Sequence, residues 1–103
     1  MAKKNERYAI LANSSYGLYA GIVGKITPTA DGKLTVEVRD CRHVARWYGK
    51  TGGITSLAAH GLCGKQAQES RIGAPTTATL TSIVNIFDCS DEARQTIESA
   101  VQS

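Results

Sequence analysis

The chain has 103 residues, a net charge of +3, and 42% hydrophobic against 20% charged residues. That is the composition of one globular domain spanning 1–103, not of a disordered tail or a multidomain chain. No run approaches the ~20 apolar residues of a membrane span, so no membrane partner is expected; the mild positive charge permits nucleic acid without demanding it.

Residues 1–6 are polar and charged and are expected to form a flexible end. The basic start is followed by too few apolar residues for a signal-peptide core, which points to a cytosolic protein. Three cysteines, Cys41, Cys63 and Cys89, lack a CxxC pair. In a reducing compartment they read as small buried hydrophobes.

Residues 7–12 predict a first strand, closed by a turn at Asn13, Ser14 and Ser15 whose side chains hydrogen-bond local backbone. A second strand is expected over 17–26, with Leu18, Ala20, Ile22 and Ile26 on one face and Tyr19, Val23 and Lys25 on the other. Gly17, Gly21 and Gly24 inside it imply bulges, curvature or a close backbone neighbour. A loop follows over 27–32 and ends in Asp31-Gly32, a hairpin signal. Leu34, Val36 and Val38 then alternate with Thr35, Glu37 and Arg39. The parity breaks near Asp40, which predicts a bulge or corner at Asp40-Cys41 and a further strand over 43–48. Thr55 is the expected cap of a short helix over 56–60, stopped by Gly61. Residues 61–78 read as a long loop. A strand is predicted over 79–87, with Leu80, Val84 and Ile86 on one face and Ile83 and Phe87 on the other. Ser90 is placed to cap a last helix, with Asp91 and Glu92 at its positive end and Ala93, Ile97, Ala100 and Val101 as its apolar stripe. The expected fold is α+β: a curved, mainly antiparallel sheet of about five strands with a short central helix and a C-terminal helix.

The chemistry concentrates between Asp40 and Gly53. This stretch holds the only Trp, Trp47, and three of the twelve Lys and Arg residues. Arg42, Arg46 and Tyr48 alternate along one strand, Lys50 follows beside glycine amides, and Arg71 is placed to join them. Guanidinium groups pair bidentately with phosphate and stack on rings, so the set suits a nucleotide, an oligonucleotide or a protein carboxylate. A solvated strand face with weak ion pairs to Glu37 or Asp40 accounts for the same residues. Gly49-Lys50-Thr51 is no Walker motif, because the position five before its glycine is Val44. Cys41, His43, His60 and Cys63 supply four candidate zinc ligands, but at no common finger spacing. No metal or other cofactor is expected. The acidic residues form no catalytic pair, and Asp91 with Glu92 is explained by helix capping, so the chain does not read as an enzyme.

Five segments together resemble small proteins of phages and prophages that form a domain family of unknown function. They are Tyr16-Gly17-Leu18-Tyr19-Ala20-Gly21; Arg39-Asp40-Cys41-Arg42-His43-Val44-Ala45-Arg46-Trp47; Ser56-Leu57-Ala58 with Gly61; Glu69-Ser70-Arg71-Ile72 with Pro75; and Ile86 through Cys89-Ser90-Asp91-Glu92-Ala93. The resemblance covers about residues 8–95. It implies a phage-encoded protein acting in the host bacterial cytoplasm, and it carries no activity and no catalytic residue. The leading expectation is a non-enzymatic accessory protein that binds a small anionic ligand, a nucleotide or a host signalling molecule, and so counters host defence. A protein-interaction module that binds a host protein, a small virion component and a nucleic-acid-binding protein stand as alternatives. The tyrosines Tyr8, Tyr16, Tyr19 and Tyr48 favour a homo-oligomer, because aromatic surfaces are common at interfaces.

Overall fold

The computed structural model describes residues 6–14, 17–46, 54–62 and 70–100. Five strands and two helices follow in the order β1 (Tyr8–Asn13), β2 (Leu18–Pro28), β3 (Leu34–Arg46), α1 (Ile54–His60), β4 (Arg71–Ile72), β5 (Thr76–Asp88) and α2 (Asp91–Glu98). Every pairing is antiparallel, and the order across the sheet is β2-β1-β5-β3-β4. A further pairing between β2 and β3 closes the ring β1-β2-β3-β5 on itself. The expected curved α+β sheet is therefore coiled tightly enough to close as a small barrel.

Closure divides the apolar residues into two cores. Leu11, Val36, Val38, Cys41 and Ile83 fill the barrel, with Tyr19, Val23, Ile26, Leu34 and Leu80 packed around them. Tyr8, Ile10, Leu18, Ala20, Ile22, Val44 and Ile72 lie on the outer face, under Leu57 and Ala58 of α1 and Ile97 of α2. Each fully buried aliphatic side chain contributes about 1.5–3 kcal/mol.

Bulges decide which core a side chain enters. Asp40 has φ 51, and the ladder slips there on both sides of β3. The bulge expected at Asp40-Cys41 is present, but Leu34–Arg46 runs through it as one bent strand instead of two. The irregularity between Val23 and Ile26 turns Ile26 into the barrel, on the face of Val23 rather than that of Ile22. In β5, Ser82 has φ 57, and the register shifts on both sides of it. Leu80, Ile83 and Ile86 therefore share the barrel face, while Val84 is left 44% exposed and Phe87 packs against the helix-side core. The simple alternation predicted for this strand fails at Ile83 and Val84 alone, because the residue inserted at Ser82 inverts the faces and the second shift, between Ile83 and Asn85, restores them for Ile86 and Phe87.

Gly21 shows what the bulge in β3 requires of its neighbour. A Cβ there would sit 2.4 Å from Val38 Cγ1 and 2.9 Å from the Arg39 carbonyl oxygen. The close backbone neighbour anticipated for the second strand is this kinked segment of β3.

Gly61 ends α1 at φ 75, its amide donating to the Leu57 carbonyl at 2.8 Å. Thr55 lies inside this helix, not at its cap. Ser90 caps α2 as expected, its Oγ accepting from the Ala93 amide at 3.0 Å. The same hydroxyl donates to the Ala59 carbonyl at 2.7 Å, joining the end of one helix to the start of the other. The segment expected as a long loop contains β4 and the first residues of β5. No described helix is long and apolar enough to cross a membrane.

Candidate functional site

Arg42 is not a surface residue. It sits on the helix-side face of β3 beside Val44 and is only 4% exposed. Its Nε donates to the Gly73 carbonyl (2.6 Å) and its Nη1 to the carbonyls of Ile97 (2.9 Å) and Glu98 (3.3 Å); Nη2 lies 3.5 Å from the Ile72 carbonyl oxygen. These acceptors belong to two places that have carbonyls to spare: the last turn of α2 and the segment just after the two-residue β4. A cation at a helix C-terminus is favoured by the unpaired carbonyls there. The planar fork spans both elements at once, which an ammonium group cannot do. The sequence-based expectation that Arg42 contacts a ligand is thus corrected: it is the clamp that holds β4 and α2 to β3.

Arg71 is where that clamp delivers an exposed charge. Ile72 and Val44 pair across β3 and β4 and face the helices. Arg71 precedes Ile72 and therefore points to the opposite face, where it is exposed. The ladder sets Arg71 opposite residue 46, another arginine, after a register shift between Val44 and Arg46. Arg46 enters through its backbone register alone. His43 also lies on Arg71's face, exposed, and pairs with Tyr19 of β2. Their ring centroids are 5.2 Å apart with planes at 40°. This end of the sheet thus carries an exposed arginine and an exposed imidazole beside a half-buried phenol ring. Tyr48 and Lys50 lie outside the described residues.

Residues 6–97 match the model of a domain of unknown function, DUF6948. The chain belongs to the DUF6948 family. No curated protein and no solved structure matches it.

In this DUF6948 domain the four candidate zinc ligands are not gathered. Cys41 is buried in the barrel, and burial pushes its thiol up to about 11. His43 follows on the same face but is exposed and stacked on Tyr19. His60 ends α1, on the other side of the sheet; Cys63 lies outside the described residues. Among the described residues, no three His, Cys, Asp or Glu side chains come together in a way that holds a metal.

A second ionic cluster had no signal in the sequence. Arg94 of α2 is 7% exposed, with its guanidinium carbon 5.1 Å from the centre of the Tyr8 ring. It donates to Glu98 at 2.9 Å and to Glu6 at 2.7 Å. The hydrogen bond to Glu98, above all, raises its pKa despite burial. Tyr8 is 4% exposed, and its hydroxyl has no hydrogen-bond partner among the described residues. Spacing marks Arg94 as a polar position of an amphipathic helix. Only the route of residues 6–8 across the helix makes it an interior charge.

Proposed function

We propose that this DUF6948 protein is a non-enzymatic accessory protein that binds a small anionic ligand, a nucleotide or a nucleotide-like host signalling molecule, at the β3–β4 end of its sheet. One observation carries the reading: the register that opposes two arginines, 46 and 71, beside the ring pair of exposed His43 and half-buried Tyr19. Like charges at opposed ladder positions destabilise an antiparallel pair. A phosphate shared between them relieves that repulsion and takes up the guanidinium fork, while a base stacks on the neighbouring rings. Tyr48 and Lys50 join this surface on the strength of the sequence alone. The setting, a phage protein acting in the host bacterial cytoplasm against host defence, rests on the resemblance of the five segments named above.

Isothermal titration against a panel of mono-, di- and cyclic nucleotides tests the proposal. Binding by at least one member is expected, weakened tenfold or more, about 1.4 kcal/mol, by Arg71→Ala and by His43→Ala. Both residues are exposed, so thermal unfolding should be unchanged. No heat with any member sinks the reading. Oligonucleotide binding that weakens steeply with salt would replace it with nucleic-acid recognition.

A further inference from the structure

Among the described residues, the barrel leaves two strand edges unpaired, and they are built differently. β1 is short: it pairs with β2 only as far as Ile22 and with β5 only from Ile83 onward. Beyond those points, β2 from Gly24 to Pro28 and β5 from Thr76 to Thr81 pair with β3 on one side. Among the described residues, nothing pairs with their other side apart from the Ser14 amide, which donates to the Ser82 carbonyl at 2.9 Å and marks where cover of β5 ends. The β2 edge carries Gly24, Lys25 and Pro28 and an irregular register. Charge, proline and a bulge are the devices by which natural sheets prevent edge-to-edge association. Between Thr76 and Thr81 the β5 edge has neither charge nor proline, and its own bulge, at Ser82, comes only at the end of this run, where the Ser14 amide covers it. Its sequence, Thr76-Thr77-Ala78-Thr79-Leu80-Thr81, is β-branched, uncharged and free of proline and glycine.

We infer that β5 pairs with β5 of a second copy, edge to edge and antiparallel, so that two barrels share one continuous sheet. The edge is self-complementary. With Thr79 on the two-fold axis, Thr77 of one copy lies opposite Thr81 of the other, and Ala78 opposite Leu80. Exposed threonines then pair with threonines on the outer face, and half-buried apolar side chains meet on the inner one. Every second residue offers an outward amide and carbonyl for the new ladder. Each copy carries +3, and an uncharged edge is the place where two such copies meet without like charges face to face. The same pairing through the β2 edge would oppose Lys25 to Lys25 or to its neighbours and would meet Pro28, which has no amide to donate. The inference is independent of the ligand proposed above.

Analytical ultracentrifugation of the full chain over a range of concentrations tests it, with amide hydrogen exchange read in parallel. A dimer is expected, with exchange across 76–81 slowing as concentration rises. Thr79→Lys sets two ammonium groups against each other at the axis and should yield a monomer with an unchanged circular dichroism spectrum. Thr77→Lys should do the same from a second exposed position, and Lys25→Thr, on the guarded edge, should leave the dimer intact. A wild-type monomer at every concentration overturns the inference. So does a dimer that persists in both lysine variants, or protection of 76–81 that does not depend on concentration.

Discussion

Two interior side chains, Tyr8 and Arg42, make opposite demands on their surroundings. The Tyr8 hydroxyl is buried without a partner among the described residues, and an unsatisfied buried donor costs about 1–3 kcal/mol. Tyr8→Phe keeps the ring under Arg94 and removes that cost, so chemical denaturation should find the variant about 1 kcal/mol more stable at neutral pH. Burial, reinforced by Glu98, holds the Tyr8 phenol neutral well past its ordinary range. The native state thus retains a proton that the unfolded chain loses from about pH 10. Stability then falls as pH rises above that point, and Tyr8→Phe should flatten the fall. A variant less stable than wild type would show that the hydroxyl has found a partner. Arg42 is fully used. Arg42→Ala strands carbonyls of α2 and of the segment after β4 and should cost about 2–4 kcal/mol, a loss of roughly ten degrees or more in Tm. Arg42→Lys should recover only a small part. An arginine that served a ligand instead would show little change in Tm and a large change in binding.

Among the elements, β3 and its partners set the most stringent local condition. The bulge at Asp40 brings the β3 backbone against β2, and Gly21 is the residue that lets it approach. Gly21→Ala places a methyl group against Val38 Cγ1 and the Arg39 carbonyl oxygen. The loss should be several kcal/mol, beyond the ~1–3 kcal/mol of ordinary overpacking, because the backbone has to yield. Val38→Ala should rescue only part of it in a double-mutant cycle, since the carbonyl remains. This level was partly legible in the sequence. The parity break at Cys41 announced the bulge, and the glycines of β2 announced a close neighbour. Ser90 with Asp91 and Glu92 read directly as a helix start. Ser82 was opaque, because a single left-handed serine in a β-branched run leaves no compositional trace. The faces predicted for Val84 and Ile83 were therefore exchanged. The two-residue β4 is too short to show any period. Arg42 was misplaced for a different reason: alternation identified its face correctly as that of Val44, but nothing local said that two helices cover that face.

Over the whole molecule, closure of the barrel depends on β1 pairing with β5, which brings Asn13 to Ile83. Contacts so distant in sequence are slow to form, because loop closure precedes their reward. Refolding is expected on the millisecond-to-second scale typical of small all-β domains, measured by stopped-flow fluorescence of Trp47. The wholly charged part of the proposed site hangs on β4, which has no length of its own and is held by Arg42. Position and function are thus separated between an interior arginine and an exposed one only partly visible as a pair in the sequence.

Arg94 reaches both Glu6, ahead of the first strand, and Glu98, at the end of the last helix. The segments that hold Glu6 and Glu98 are therefore neighbours, although the whole sheet lies between them along the chain. A protein with that property can be circularly permuted. A permutant in which a short glycine-serine linker joins residue 98 to residue 6, with new ends opened in the exposed turn at Ala30 and Asp31, should fold to the same barrel. Its circular dichroism spectrum should match that of the parent, and Arg94→Ala should weaken the parent more than the permutant, in which the linker does covalently what the salt bridge does by charge.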